Sequence, residues 1–528
     1  MRVRILILLI IGLSSQIVKG QLYLPNQRYY NNSAERLFSK HDSLRNFHNS
    51  HQSMKPLRDS RTNSDSIYHK GGKHYYWITQ KLFKENFIIF KGEDFWCSVD
   101  PLLDLEGGTD THSDSLDFLY WNTRGLRVQA KFFDKIAFTT SFYENQALVP
   151  TYVSDFVNQF GELRPTSLGY KQEHAVIPGY ARTKPFKVDG YDFAFAEGQF
   201  SYVPNKYVNF QFGNGNHFIG NGYRSLLLSD FTNNYPFAKI ETNLWQDRIQ
   251  YTAIYAVQQN LYRLSAFESV EASFERKLGT YHYLDFAINE NITIGLFEGA
   301  QWRRTDSTGS HNPNWLFANP VPFVNGVIMN NTTEGYNHIF GLNFGWAFLK
   351  NQLYSQLVLD NKKLGAIQLG IKSYGQFIKG LDIQLEYNYA ANNTYIANQK
   401  RYNYSHNNLP LAHPLASGFN EGIIFLNYEK NEFFVSNKTI YYNQIFNETE
   451  ADGTDILNDE IGLLTVLNEQ RNTIINNLEF GYRFNRTNNL QIAIGWMFRE
   501  EYLKEFNNTT SYIYGAIRTP LRNKTLDF

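Results

Sequence analysis

Apolar and polar residues alternate along most of this chain from about residue 75 onward. In the stretch 381–389, apolar side chains take the odd positions and polar side chains take the even ones. Similar runs cover 338–348, 478–484 and 490–498. Because successive side chains of a strand point to opposite faces, this period of two predicts strands with one apolar and one polar face. Short polar turns such as 360–363 and 485–489 separate the runs, which predicts an all-β antiparallel meander that closes on itself.

The same pattern is typical of a barrel that crosses a membrane. No run of 18 apolar residues follows residue 20, so no membrane-spanning helix is expected. The mean hydropathy of −0.43 does not oppose a barrel, because lipid-facing and lumen-facing residues alternate and cancel. Aromatic residues form 16% of the chain, as in the girdles of barrels, although a secreted β-sandwich or a carbohydrate-binding protein also accounts for them. We predict a closed antiparallel transmembrane β-barrel over residues 75–528, with on the order of 16–20 strands.

The first 20 residues have the layout of a secretory signal peptide. Arg2 and Arg4 precede an apolar run, and Gly20 closes a stretch suited to cleavage. The run is too short to span a bilayer, which favours a cleaved signal over a retained anchor. Residues 21–74 are polar and aperiodic, and we predict that they form a flexible periplasmic extension in front of the barrel.

Charge and cysteine content narrow the possible functions. Lys plus Arg and Asp plus Glu each number 50, so the formal net charge is +0 and nucleic acid is not an expected partner. Cys97 is the only cysteine, which excludes an internal disulfide and a cysteine-based metal site. The glycines at 213–222 lack the spacing of a phosphate-binding loop, and acidic residues between 94 and 117 fit solvated turns better than a calcium site. We expect no enzymatic activity, no cofactor and no metal.

The most distinctive segment is 213–230, where a glycine-rich turn follows a strand-like run and leads into the apolar residues 226–228. This segment resembles the signature of the Wzi-like capsule-assembly family of outer-membrane barrels. Within that family, its sequence is most similar to the RemB-like gliding-motility branch of Bacteroidetes-type bacteria. Further segments resemble the family in the same order: 92–95, 100–103, 144–146, 177–179, 283–286, 294–298 and 408–415. Ala412 stands where the family usually has glycine. The resemblance covers nearly the whole mature chain.

The resemblance implies a barrel of 18 strands in the cell outer membrane. It implies a non-enzymatic role in the assembly or attachment of surface polysaccharide such as capsule, or in gliding motility, or in both. The implied partners are surface polysaccharide, outer-membrane lipid and the gliding or type IX secretion machinery. A porin or an outer-membrane enzyme is the alternative, because the sequence does not show whether the lumen is plugged.

The candidate site joins the central turn to one acidic and one aromatic residue: His217, Gly220, Asn221, Gly222, Tyr223, Arg224, Ser225, Glu298 and Trp302. We expect the turn to fold against the barrel wall and to hold Arg224 in the lumen, paired with a carboxylate such as Glu298, since an unpaired charge away from water is costly. Gly222 is required there if its φ is positive. Glu298 beside Trp302 suits a sugar contact, although we favour a lumen-facing salt bridge. A purely structural role for the motif is the alternative.

Overall fold

A computed structural model shows how the chain folds. It describes residues 22–40, 46–58, 76–113, 118–133, 135–167, 169–264, 274–329, 333–360, 363–397, 400–446, 469–503, 507–520 and 522–528. The expected signal peptide, residues 1–20, lies outside the described residues. Within the described ranges, no helix is both long enough and apolar enough to cross a membrane.

Eighteen strands close into one barrel. They are β1 (Phe95–Asp110), β2 (Phe118–Phe132), β3 (Ile136–Leu148), β4 (Gly190–Asn205), β5 (Val208–Gly215), β6 (Tyr235–Leu244), β7 (Ile249–Arg263), β8 (Phe274–Ala287), β9 (Ile292–Asp306), β10 (Tyr336–Phe348), β11 (Asn351–Asp360), β12 (Lys363–Tyr374), β13 (Leu381–Ala390), β14 (Phe419–Lys430), β15 (Phe433–Phe446), β16 (Glu469–Asn485), β17 (Leu490–Tyr502) and β18 (Asn507–Arg518). Each strand pairs antiparallel with the next one, and β18 pairs with β1, where Gly515 lies opposite Gly107. The predicted all-β closed antiparallel barrel and its strand number are confirmed.

Alternation along each strand separates the two faces of the wall. On β13, Leu385 and Tyr387 are exposed by 46% and 45% and point outward, whereas Gln384 and Glu386 are exposed by 4% each and point into the lumen. The exterior is therefore apolar and the buried interior is polar, the inverse of a water-soluble protein. A closed barrel leaves no strand edge unpaired, which is the condition for crossing hydrocarbon with strands.

The two ends of the barrel differ in the length of their connections. At one end the connections are short: 133–135, 206–207, 245–248, 288–291, 349–350, 375–380, 431–432 and 486–489. At the other end they include the long connections 149–189, 216–234, 307–335 and 391–418. Outer-membrane barrels have short periplasmic turns and longer extracellular loops, so the short-turn end faces the periplasm. With its apolar exterior and closed wall, the barrel lies in the outer membrane.

The N-terminal segment lies inside the barrel. Helix α1 (Arg28–Lys40), helix α2 (Phe47–Ser50) and the short strand Met54–Lys55 enter from the periplasmic end. Tyr23 binds Asn209 of the lumen wall, and Arg36 pairs with Asp382 near the periplasmic rim. The prediction of a flexible extension over 21–74 is wrong for 22–40 and 46–58, because the lumen wall offers polar partners to a polar segment. Residues 59–75 are outside the described part of the chain.

The barrel wall begins at Phe95 rather than at residue 75. Helix α3 (Trp77–Phe83) comes first, and the residues after it are fixed to the periplasmic end of β16 through Asn485, which donates to the carbonyl of Glu85. The short strand Ile88–Lys91 then pairs with the start of β1. The domain boundary predicted at residue 75 therefore falls before a short helical lead-in that packs on the periplasmic rim.

The remaining elements belong to the long connections. They are α4 (Thr151–Gln159), α5 (Val324–Ile328), the 3-10 turns Trp315–Ala318 and Lys400–Tyr402, and the short strands Glu162–Thr166, Gly169–Glu173, Lys184–Phe186, Phe218–Ile219, Gly309–Ser310, Ser405–His406 and Leu409–Pro410. The connections after β3, β5 and β13 have described residues that fold into the lumen from the extracellular end. The apolar side chains of these residues pack there with tyrosines and phenylalanines of the wall.

The residues after β18 turn back into the lumen from the periplasmic end. Phe528 is buried there, and its ring stacks on Phe156 of the connection after β3 with 3.5 Å between centroids. Arg499 of the wall donates to the Phe528 carbonyl. The lumen is thus filled by the N-terminal segment, by connections from the extracellular end and by the tail residues 519–520 and 522–528.

Candidate functional site

The central turn lies deep in the lumen, as expected. The short strand Phe218–Ile219 pairs with Met54–Lys55 of the N-terminal segment. Ile219 N donates to Leu228 O (2.8 Å), which closes the turn. Residues 226–228 are fully buried in the apolar part of the lumen. The glycine-rich motif is therefore the start of a plug segment that crosses the barrel interior.

Side chains of the wall and of the connection after β13 satisfy the irregular backbone of this segment. Gln356 accepts from Leu226 N and donates to Ile219 O, both at 2.8 Å. Tyr395 donates to Leu226 O (2.8 Å) and Tyr404 donates to Leu227 O (2.9 Å). Buried backbone groups need such partners, since water does not reach them. The polar lumen thus supplies the hydrogen bonds that a strand neighbour supplies elsewhere.

Two glycines of the turn are required for different reasons. Gly220 has φ +143, a region that side chains rarely adopt. Gly222 does not have a positive φ; its requirement is space, because a side-chain carbon there would lie 2.7 Å from Glu386 Oε2 and 2.7 Å from Arg224 O. The condition of a positive φ at Gly222 is therefore not met, and close approach to Glu386 and to Arg224 O is the reason that glycine is required there.

Arg224 is buried in the lumen, but its partners differ from the predicted one. Its guanidinium lies 3.3 Å from Glu421 Oε1 and 3.2 Å from Asp527 Oδ1, and it donates to Asp527 O at 2.7 Å. The backbone N–H groups of Tyr223 and Arg224 both donate to Glu386, at 2.6 and 3.0 Å. The expected pairing of Arg224 with Glu298 is wrong. Glu386, Glu421 and Asp527 are the carboxylates that sequence reasoning did not assign.

The oppositely charged side chains of this cluster stabilise one another in their ionised forms. Burial alone would lower the pKa of Arg224, but the carboxylates of Asp527 and Glu421 more than offset burial and raise it. Burial would raise the pKa of Asp527, but Arg224 and Lys438 lower it to about 2. Lys438 Nζ lies 2.6 Å from Asp527 Oδ2, and Tyr223 OH donates to the same oxygen at 2.5 Å. Asp527 is therefore ionised at neutral pH.

The 408–415 loop, which also resembles the family, contacts the central turn at this cluster. His413 Nε2 lies 2.7 Å from Glu421 Oε2, and its ring stacks on Phe419 with centroids 4.1 Å apart. Burial lowers the pKa of His413. Glu421 thus joins Arg224 of the central turn to His413 of the 408–415 loop. The two motifs read from the sequence form one lumenal contact.

The other residues of the turn have lumen partners of their own. Ser225 Oγ donates to Ile219 O (2.5 Å) and accepts from Leu227 N (3.1 Å). His217 Nδ1 lies 3.2 Å from Tyr235 OH, and burial lowers its pKa well below the ordinary value, so the ring is neutral. Asn221 is buried beside Gly345 of β10. These positions pack the turn rather than present a reactive group.

Glu298 and Trp302 lie on the opposite face of the wall from the motif. Both share the outward face of β9 with Leu296, which is exposed by 39%. Residues 315–329 of the extracellular connection after β9 pack over this outer face. Glu298 accepts from Phe323 N (2.7 Å) and Gly326 N (2.9 Å) at the start of α5. The inclusion of Glu298 and Trp302 in a lumen site is therefore wrong.

Trp302 is part of the contact that holds this connection to the wall. Its Nε1 donates to Thr280 Oγ1 (3.1 Å), which itself donates to Phe317 O (3.0 Å). The indole packs on Tyr336 with centroids 4.7 Å apart. This polar patch on the outer face of the barrel is thus covered by the protein's own chain, which keeps the carboxylate hydrogen-bonded.

A cavity of about 380 Å³ is left between α1, the tail, α4 and the wall of β1, β2 and β14–β18. Aromatic rings along it include Trp121, Tyr143, Tyr180, Tyr223, Tyr512 and Tyr514. Charged side chains line it as well, among them Arg28, Lys438 and Lys524. Its volume lies within the range of small-molecule sites, about 300–1,000 Å³. Rings with polar tips next to charged groups can stack on sugar faces and bind hydroxyls.

One group of side chains in the described residues could surround a cation. Glu162, Glu173 and His174 each place a ligand atom within 4.8 Å of the others. Glu162 already pairs with Arg182 and Arg263, which neutralise it. The geometry therefore favours a structural ion-pair cluster in the connection after β3 over a metal centre.

Comparison with known proteins adds a structural relative. No protein-family model matches the chain, and no curated protein matches it by sequence. Wzi of Escherichia coli, described as an outer-membrane protein involved in Group 1 capsule assembly and a carbohydrate-binding β-barrel, superposes over 96% of this chain and 100% of its own, with 12% identity and a TM-score of 0.54. The chain has the Wzi fold. OprD of Pseudomonas aeruginosa covers 80% of this chain and 94% of its own (9% identity, TM-score 0.42), and a BenF-like porin from Pseudomonas fluorescens covers 81% and 98% (9%, 0.41).

Proposed function

We propose that this barrel binds surface polysaccharide and acts, without catalysis, in its assembly or attachment at the outer membrane. The observation that carries the proposal is the lumenal cavity, where Trp121, Tyr180 and Tyr223 stand beside charged and amide side chains. This combination suits hydroxyl-rich chains, which bind through ring faces and hydrogen bonds. The Wzi fold supports the proposal, because Wzi is described as carbohydrate-binding.

The filled lumen favours binding over diffusion through an open pore. In the described part of the chain, five segments occupy the interior: the N-terminal segment (22–40 and 46–58), the described residues of the connections after β3, β5 and β13, and the tail residues 519–520 and 522–528. Buried ion pairs such as Arg224 with Glu421 hold them to the wall. We expect purified protein in planar bilayers to give no steady open-pore conductance. A stable conductance of porin size would favour the porin alternative.

The biological setting has two candidate forms, capsule attachment and gliding motility. The sequence resemblance of residues 213–230 to the RemB-like branch supports the motility setting, with gliding or secretion machinery as partners. The Wzi fold supports the capsule setting. Deleting the gene and scoring both capsule retention and colony spreading separates them. Loss of neither trait, together with no binding of purified surface polysaccharide to the detergent-solubilised barrel, would overturn the proposed function.

A further inference from the structure

Arg28 differs from the other cations along the lumenal cavity. It begins α1, and its guanidinium carbon lies 3.2 Å from the ring centre of Phe425 and 5.3 Å from that of Tyr223. Its Nη2 donates to Gln384 Oε1 at 2.9 Å. In the part of the chain that the structure describes, no carboxylate lies within the 4.0 Å of an ion pair with it. Arg28 is therefore a cation held by rings and an amide, facing a cavity.

The neighbouring cations are all neutralised. Every other lysine and arginine that lines the cavity, among the residues that the structure describes, forms an ion pair, as Lys438 does with Asp527 (2.6 Å) and Lys524 does with Glu106 (3.1 Å). The charge of Glu386 acts on Arg28 at longer range, but its oxygens already accept from Tyr223 N, Arg224 N and Tyr354 OH. A charge removed from bulk water favours a counter-charge strongly. Among the described cations that line the cavity, Arg28 is thus the one without a carboxylate partner at ion-pair distance.

We propose that the cavity takes an acidic sugar, with Arg28 as the anchor for its carboxylate. A guanidinium matches a carboxylate through two parallel hydrogen bonds, and the rings of Phe425 and Tyr223 hold the Arg28 side chain in place for that contact. Trp121 and Tyr180, which pack against each other in another part of the cavity lining, add aromatic surface next to which a sugar ring can pack. This inference rests on the proposed polysaccharide-binding function and names its ligand class.

Two probes that differ only at the carboxyl group test the inference. The first is a defined oligomer of glucuronic acid, and the second is the same oligomer with its carboxyls reduced to primary alcohols. Calorimetric titration of the full-length barrel in detergent should show at least tenfold tighter binding of the acidic oligomer at low salt. The preference should shrink as salt is raised, because salt screens the charge contact.

Variants assign the preference to Arg28. Arg28→Gln should bind both oligomers with similar affinity, and Arg28→Lys should keep only a several-fold reduced preference, because an ammonium lacks the planar fork. Arg303→Gln is the matched control, since Arg303 pairs with Glu334 at the extracellular rim and does not line the cavity. Heat-modifiable migration on gels verifies that each variant is folded.

The outcomes separate the inference from the function it rests on. Equal binding of both oligomers by the wild type overturns the acidic-sugar inference and leaves polysaccharide binding intact. Binding of neither oligomer, nor of purified surface polysaccharide, overturns both. A full acidic preference in Arg28→Gln overturns the role of Arg28. Should Arg28→Gln not fold, an Arg28→Lys variant with unchanged preference and salt dependence overturns it instead.

Discussion

Arg224 Nη1 lies 3.2 Å from Asp527 Oδ1, although 303 residues separate the two along the chain. Asp527 belongs to the tail that enters the lumen from the periplasmic end, whereas Arg224 belongs to a connection that enters from the extracellular end. The pair therefore joins two plug segments in the middle of the barrel. Lys438 of β15 holds the same carboxylate to the wall.

Arg224→Ala should destabilise the barrel by about 3–5 kcal/mol, because it leaves Glu421 and Asp527 buried without their shared cation. Urea unfolding of the protein in detergent measures the change. Arg303→Ala is the control, because its partner Glu334 has a side chain exposed by 65%, and an exposed pair is worth about 0–1 kcal/mol. Equal losses in the two variants would contradict the central role of the Arg224 cluster.

Gly222→Ala should cost about 1–3 kcal/mol, the usual range for overpacking. The added carbon would meet Glu386 Oε2 and Arg224 O at 2.7 Å and Gln368 Oε1 at 2.8 Å, so either the turn or the wall must shift. Gly422→Ala on β14 is a matched control, because nothing lies within 4 Å of a carbon added there. Thermal unfolding of both variants measures the difference in stability. A Gly222→Ala variant as stable as Gly422→Ala would show that the turn accommodates the added carbon.

The sequence predicted the wall well because alternation is a local signal. It could not tell which face of β9 is the lumen when both faces carry polar residues, and Glu298 and Trp302 were assigned to the wrong side. Nor does spacing reveal partners such as Glu421 and Asp527, which lie 197 and 303 residues from Arg224. These pairings depend on how the barrel closes, which no short window contains.

The N-terminal segment shows a second limit of pattern reasoning. Polar, aperiodic residues usually cannot bury enough apolar surface to become ordered. Here the lumen wall is itself polar, and Glu35 forms ion pairs with Lys372 of the wall (2.7 Å) and with Lys55 (3.6 Å). Composition alone therefore missed a segment whose partners are charged side chains of a barrel interior.

Glu298→Gln should loosen the connection 307–335 from the outer wall. A carboxylate accepts the two N–H groups of Phe323 and Gly326 with separate oxygens, whereas an amide turns its own donor toward one of them. Losing a charge-assisted bond of this kind should raise chymotrypsin cleavage within 313–329 by about tenfold. Glu334→Gln, at an exposed rim position of the same connection, should leave the rate unchanged. Identical rates for the two variants would mean that Glu298 does not hold the connection.

The Arg224–Asp527 contact should also give the barrel a defined acid sensitivity. Arg224 and Lys438 lower the pKa of folded Asp527 to about 2, whereas an unfolded aspartate titrates near about 3.9. Between these values the unfolded chain binds more protons, so the stabilisation is complete above about pH 4 and is lost as pH falls through about 2. The free energy of unfolding of wild type relative to Asp527→Asn should therefore be constant from pH 7 to about 4 and shrink by on the order of 2 kcal/mol below that. A difference that stays the same at pH 2 and pH 7 would show that Asp527 is not held ionised by its two cations.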